Sequence, residues 1–250
     1  MYLTSAITFV LWIVPLFVMY TMHTMGVSEG VLATFSNVVQ TAAPFIAALF
    51  CFFTMAVFKE GDSNRKGWLF IGLACLSWFL GQVVYTIYEA STGLTVPYPW
   101  FPDIGYIITP ILAIIGILYI WSALKSKVPT WGWIASLVVL GLALFWAFSL
   151  VEPDVPLATF TSYTYSVVDS LLVSSAVLFA SSLFGGIIGN QFWIMIAGLI
   201  LYFLGDQIFN MMNIAGTYRT GGLIDITWPL AFGLIAVTAV AVRTVLTHRY

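Results

Sequence analysis

Charged residues are scarce in this sequence of 250 residues: Asp, Glu, Lys and Arg together make up 7% of it. Soluble domains carry about 25%, so there is too little charge to cover a globule in water. Apolar residues reach 61%, and the mean hydropathy is +1.03. The composition therefore predicts a protein that lies in a lipid bilayer. A net charge of −2 also excludes a basic surface for nucleic acid.

Lysine, histidine and cysteine are also few, and each scarcity excludes a chemistry. All lysines occupy polar breaks between apolar runs, so none is placed to form an intramembrane retinal Schiff base. His23 and His248 fall near opposite membrane surfaces, which excludes bis-histidine haem ligation. Cys51 and Cys75 have no further ligand beside them, which makes a poor metal site. With no Ser-His-Asp or paired-carboxylate arrangement predicted at one depth, we expect no enzymatic activity, no metal and no cofactor.

Apolar runs long enough for membrane helices are abundant, since a span needs about 20 residues. Eight runs are bounded by polar or Pro- and Gly-rich breaks. They predict an all-α integral membrane protein with eight transmembrane helices. The runs are Ser5–Met25, Leu32–Phe58, Trp68–Ala90, Asp103–Leu124, Trp131–Val151, Ala158–Phe184, Phe192–Asn213 and Gly222–Leu246.

Basic residues are distributed unevenly between these breaks. With eight spans, all but Arg219 fall on one side, which the positive-inside rule makes cytoplasmic. Both termini are then predicted to be cytoplasmic. The cytoplasmic set is Lys59, Arg65, Lys66, Lys125, Lys127, Arg243 and Arg249. The outer face is predicted to carry Arg219 with Glu29, Glu89, Asp103, Glu152, Asp154 and Asp225.

Short segments recur at a nearly constant spacing of 122 to 125 residues. Each copy holds four predicted helices, an even number, so both copies insert with the same orientation. We therefore expect two parallel four-helix repeats, residues 1–127 and 128–250, in a single membrane domain. The recurring segments are Leu32-Ala-Thr-Phe35 with Leu157-Ala-Thr-Phe160, Trp78-Phe-Leu-Gly-Gln82 with Tyr202-Phe-Leu-Gly-Asp206, and Asp103-Ile-Gly-Tyr106 with Asp225-Ile-Thr-Trp228.

Two loop-bearing segments carry a family resemblance. They contain Gly81 to Glu89, Gly93, Pro97 to Pro99 and Asp103 to Tyr106, then Gly205-Asp206, Gly216 to Tyr218, Gly221 and Leu223 to Trp228. This arrangement resembles the multi-helix N-terminal membrane sensor region of prokaryotic diguanylate cyclases and histidine kinases. The resemblance implies sensing at a prokaryotic plasma membrane. Because the sequence holds no GGDEF, kinase or phosphodiesterase motif, it also implies that the signal passes to a separate partner.

Intramembrane polar residues are the main candidates for a binding site. Asp206 is predicted about 10 Å deep, at about 1.5 Å rise per residue, where a charge is costly. Gln82 takes its place in the first repeat, and we expect both to form a polar cluster with Tyr85 and Asn210. The alternative is that Gln82 and Asp206 simply hydrogen-bond helices together.

Asp169 is predicted near mid-membrane, where Pro44 is its counterpart in the first repeat. This difference favours a site in the second repeat, with helix packing as the alternative.

Three further acidic residues, Glu89, Asp103 and Asp225, are predicted at the outer surface. They would form a vestibule that attracts a cation or an amine. For Asp103 and Asp225, which each begin a predicted helix, capping of the first turn is the alternative. Nearby aromatic side chains also fit an interfacial belt.

The favoured function is a stand-alone sensory or ligand-binding membrane module with an outward-facing polar cavity. It would act through a cytoplasmic signalling partner or as a homo-oligomer, and take a small hydrophobic or cationic ligand. One alternative is a small permease or channel-like carrier with a path along Asp169, Asp206 and Gln82. A further alternative is a structural subunit of a membrane complex that binds lipid, quinone or pigment.

Overall fold

The computed structural model describes residues 2–151, 156–183 and 189–247. Glu152, Asp154, His248 and Arg249, placed above from the sequence, lie outside these residues. The described residues are 85% helical and hold no strand. Its helices are α1 (Tyr2–Thr24), α2 (Glu29–Met55), α3 (Ser63–Thr92), α4 (Phe101–Leu124), α5 (Thr130–Ser149), α6 (Pro156–Ser182), α7 (Gly189–Ile214) and α8 (Thr227–Thr247), with a 3₁₀ turn at Leu223–Ile226 before α8.

Helix length and composition make this an all-α, multi-pass membrane protein. Within the described residues, seven helices, α2 to α8, are long and apolar enough to cross a bilayer. The apolar stretch of α1, Thr8–Thr24, is shorter. Each predicted apolar run coincides with one helix, whereas the count of eight spans stays a prediction.

Helix α3 begins five residues earlier than predicted, at Ser63 instead of Trp68. The cause is an N-cap: the Asp62 carboxylate accepts a hydrogen bond of 2.8 Å from the backbone N–H of Asn64, which satisfies a free donor of the first turn. Arg65 and Lys66, predicted in a loop, therefore lie in the first turn of α3.

Six helices form a closed ring. Around it, α2 packs on α3, α3 on α4, α4 on α6, α6 on α7, α7 on α8, and α8 returns to α2. Helix α1 packs against α8 outside the ring, and α5 packs against α6. The backbones of α3 and α4 approach each other closely: a Cβ atom on Gly105 would lie 2.6 Å from the Ser77 carbonyl oxygen. Small residues allow this separation.

The middle of the ring is an apolar core. Its largest fully buried side chains include Trp68, Phe179 and Phe232. The thiols of Cys51 and Cys75 are free, buried in this core and adjacent to each other. The outward surfaces of the ring and of α5 expose large apolar side chains such as Phe145 and Leu137, as expected for contact with lipid.

Candidate functional site

A cavity of about 160 Å³ opens at one end of the ring. This end, called the cavity end below, carries the α3–α4 loop (residues 93–100) and the α7–α8 loop (residues 215–222). Aromatic residues make up about half of the wall: Trp78, Tyr85, Tyr98, Tyr106, Tyr165, Tyr202, Phe209, Tyr218 and Trp228. Polar side chains also line it: Gln40, Gln82, Thr95, Asp103, Asp206, Asn210 and Asn213.

Five of the residues proposed from the sequence line this cavity together. They are Gln82, Tyr85, Asp103, Asp206 and Asn210. The other three, Asp169, Glu89 and Asp225, lie behind or beside the wall and do not line it. The α7 residues Asp206, Phe209, Asn210 and Asn213 recur every three to four positions, so one face of that helix forms part of the wall.

Two matching hydrogen bonds lie on opposite parts of the ring. In the first, the Tyr106 hydroxyl on α4 donates to Gln82 Oε1 on α3, at 2.7 Å. In the second, Trp228 Nε1 on α8 donates to Asp206 Oδ1 on α7, also at 2.7 Å. Trp78 lies between the two donors, with ring centroids 5.1 Å from Tyr106 and 6.4 Å from Trp228. Sequence reasoning missed Tyr106 and Trp228, although both end the repeated Asp-Ile segments.

Asp169 lies on α6 behind the cavity wall, with 1% of its surface exposed. Its side chain is within hydrogen-bonding range of the Asp206 carboxyl, which also has the Tyr202 hydroxyl beside it. No N–H or hydroxyl group of the described residues donates to either Asp169 oxygen or to Asp206 Oδ2. The two carboxyl groups can therefore hydrogen-bond to each other only when one of them carries a proton.

Asp103 lies at the junction between the α3–α4 loop and the cavity. One carboxylate oxygen accepts from the backbone N–H of Trp100 at 2.7 Å, and the other from the Tyr165 hydroxyl at 2.8 Å. Asp103 is the third residue of α4, and its bond to the backbone N–H of the N-cap residue Trp100 is one arm of a capping box. It therefore takes part in capping the helix, from the third position and not as the N-cap itself. The bond to Tyr165 also joins α4 to α6.

Asp225 is fully buried in the 3₁₀ turn before α8. Oδ2 accepts from the Ser36 hydroxyl and from the Gly221 backbone N–H, both at 2.8 Å, and Oδ1 accepts from the Tyr218 hydroxyl at 3.2 Å. Burial raises the pKa of the Tyr218 phenol well above its ordinary value, so the hydroxyl remains a donor. Asp225 thus fixes the α7–α8 loop to α2.

Glu89, near the end of α3, joins the same loop to the cavity wall. Its carboxylate accepts from Asn37 Nδ2 at 2.5 Å and from the Thr220 hydroxyl at 2.9 Å. Asn37 Oδ1 in turn accepts from Gln82 Nε2 at 3.2 Å, and Tyr85 lies 3.3 Å from the Thr220 hydroxyl. A continuous set of hydrogen bonds therefore connects the α7–α8 loop with two side chains of the wall.

The opposite side of the cavity is closed by apolar packing. A gap of about 20 Å³ is lined there by residues of α3, α4, α6, α7 and α8 that include Ile71, Leu199, Phe232 and Ile235. Tyr202 borders both this gap and the cavity. Apart from Thr109 and Tyr202, the side chains that line this gap are apolar.

The chemistry of the wall is acidic and aromatic. Of the residues that the structure describes, no lysine, arginine or histidine lines the cavity, and no three His, Cys, Asp or Glu residues are grouped as metal ligands. Burial raises the pKa of Tyr98, which lies in the α3–α4 loop at the cavity mouth. Such a wall suits a small ligand that combines an apolar body with a hydrogen-bond donor or a positive charge.

Comparisons with known proteins give no relative: no protein family model, no curated protein and no solved structure matches this chain. The functional conclusion therefore rests on the geometry of the cavity and on the sequence pattern.

Proposed function

We propose that this protein is a sensory or ligand-binding membrane module that acts through a partner protein. The cavity at one end of the helix ring is the observation that carries the proposal. It is open to one side, is lined by aromatic and carboxyl groups, and is closed on the other side by an apolar core. Its volume of about 160 Å³ is close to that of a cavity of roughly 150 Å³ that accepts benzene. The ligand is thus a small molecule.

The proposed architecture has eight spans in two parallel repeats. The ring supports it, because α2, α3 and α4 follow one another around the ring in the same order as α6, α7 and α8. The contact of α4 with α6 is matched by the contact of α8 with α2. The bond between Gln82 and Tyr106 likewise has its equivalent in the bond between Asp206 and Trp228.

In the proposed orientation the cavity faces outward from a prokaryotic plasma membrane, and both termini are cytoplasmic. Support comes from the basic side chains at the α2–α3 connection and the first turn of α3, and between α4 and α5, which lie at the end opposite the cavity. A signalling partner would then bind on the side where the apolar core closes the ring. Co-purification of a histidine kinase or diguanylate cyclase with this protein is the expected result.

Transport by a small permease is the second candidate function. The adjacent carboxyl groups of Asp169 and Asp206 favour it, because paired intramembrane carboxyls occur on ion and proton paths. The apolar layer below the cavity favours sensing. Uptake of radiolabelled benzylamine into reconstituted vesicles, lost in Asp206→Asn, would establish transport instead.

The proposed function can be tested with a substitution that fills the cavity. Asn210 lines the cavity from α7, whereas Ile208, two residues away, is 39% exposed on the outside of the bundle. We expect benzyl alcohol, used as a neutral probe, to bind the wild-type protein and Ile208→Trp in isothermal titration calorimetry. In Asn210→Trp the indole occupies the cavity, and binding should fall at least tenfold. Equal binding by both variants would show that the cavity is not the site.

A further inference from the structure

We infer that the cavity binds a small organic cation of single charge, with its ammonium group beside Asp206 and its body against the aromatic wall. This inference rests on the proposed function and specifies the chemical class of its ligand. It follows from three features of the site: the paired carboxyl groups, the lack of a compensating protein cation and the arrangement of the aromatic rings.

The first feature is the pair of carboxyl groups of Asp169 and Asp206. Asp206 Oδ1 is held by Trp228 Nε1, whereas Oδ2 and both oxygens of Asp169 receive no donor from the described residues. Two adjacent buried carboxylates repel each other strongly, so such a pair shares one proton. One proton on two carboxyl groups leaves a single negative charge, and Asp206 is the member that reaches the cavity.

No protein cation neutralises this charge. Within the described residues, the ion pair found is Arg219 with Glu29, and both side chains are largely exposed in solvent. The groups that face Asp206 are Asp169 from α6, Tyr202 from α7 and Trp228 from α8, none of them basic. A buried charge without a partner is costly, so a cation that enters the cavity would gain the missing interaction.

The aromatic rings specify an organic cation. Trp228 donates to the Asp206 carboxyl, and Trp78 and Tyr106 continue the aromatic wall from it, with ring centroids 6.4 Å apart for Trp228 and Trp78 and 5.1 Å apart for Trp78 and Tyr106. Faces of such rings attract ammonium groups, and they accommodate the apolar body of the same molecule. Calcium or magnesium would need about six oxygen ligands, which the carboxyl pair and these rings do not supply.

Two probes of the same shape test the inference, benzylammonium and benzyl alcohol, each titrated into the purified protein at pH 7. We expect benzylammonium to bind the wild-type protein about tenfold more tightly, because only the ammonium group gains a charge interaction. Equal affinities, or tighter binding of benzyl alcohol, would overturn the inference while the proposed function stands. The proposed function fails separately, when Asn210→Trp does not reduce benzyl alcohol binding.

Two matched variants locate the charge. In Asp169→Asn the new amide donates to Asp206 in place of the shared proton, so the charge stays in the wall and the tenfold preference should persist. In Asp206→Asn the charge moves behind the wall to Asp169, and the preference for benzylammonium over benzyl alcohol should fall to about twofold or less. A preference retained in Asp206→Asn would contradict the assignment. Should a variant fail to fold, the wild-type comparison of the two probes still decides.

Discussion

At the scale of single residues, the two halves of the ring place similar geometry around different chemistry. Gln82 and Asp206 each accept one hydrogen bond of 2.7 Å from an aromatic donor on the next helix. A neutral amide in the first position and a carboxyl in the second give one side of the cavity its charge. Asp169 likewise has Pro44 as its counterpart in the first repeat. The second carboxyl group is therefore present only on the side of Asp206.

The donor to Asp206 should matter more for stability than the donor to Gln82. Trp228→Phe removes the N–H from a partly buried carboxyl, which costs about 1–3 kcal/mol, whereas Tyr106→Phe removes a donor to a neutral amide and costs about 1 kcal/mol. Both substitutions keep an aromatic ring. Denaturant unfolding in detergent measures the two free energies. A larger loss in Tyr106→Phe would contradict a charged role for Asp206.

The expected membrane depth of the polar residues and the recurring sequence segments were enough to predict five residues of the cavity wall. They could not predict that Glu89 and Asp225 are engaged elsewhere, because their donors Asn37 and Ser36 come from α2, far away in the sequence. Tyr106 and Trp228 were missed for another reason. An aromatic residue in an apolar helix looks the same whether it faces lipid, core or cavity.

At the scale of elements, the α7–α8 loop is the part most firmly tied to the cavity. Asp225 holds its end against α2, and Glu89 holds Thr220. Gly221 permits this arrangement, since its φ is +91° and an added Cβ atom would lie 2.9 Å from the Ala33 backbone nitrogen. The loop passes close to α2 only because this residue lacks a side chain.

Replacement of Gly221 by alanine should therefore perturb the loop. We expect Gly221→Ala to destabilise the protein by about 2 kcal/mol, from positive-φ strain plus the contact with the α2 backbone. Gly216→Ala in the same loop is the control: its φ is +64° but nothing lies within 4 Å of an added Cβ atom, so about 1 kcal/mol is expected. Thermal unfolding followed by circular dichroism compares them. Equal losses would mean that the contact with α2 is unimportant.

At the scale of the whole molecule, the ring of six helices separates an open end from a closed core. Helices α1 and α5 contact the ring from outside, so the cavity is built by α2, α3, α4, α6, α7 and α8. This division agrees with the proposed parallel repeats, in which α1 and α5 are equivalent first helices. A ligand bound at the open end would act on the ring through the loop network of Glu89 and Asp225.

The proposed orientation can be tested by labelling. Thr217 is exposed in the α7–α8 loop at the cavity end, and Lys127 is exposed between α4 and α5 at the opposite end, while the native Cys51 and Cys75 are buried. In intact cells, a membrane-impermeant maleimide should label Thr217→Cys and should label Lys127→Cys only after lysis. The reverse result would turn the cavity toward the cytoplasm.

The sequence by itself determined the class of this protein and the approximate position of its helices. Scarce charge and long apolar runs are sufficient for that, because a helix is the simplest way to satisfy backbone groups in lipid. Only the tertiary structure decided which polar residues meet. Asp206 and Asp169 come from different helices, and so do Gln82 and Asn37, and their pairing depends on helix rotation and ring order. Those features arise from side-chain packing between distant segments, which local sequence does not specify.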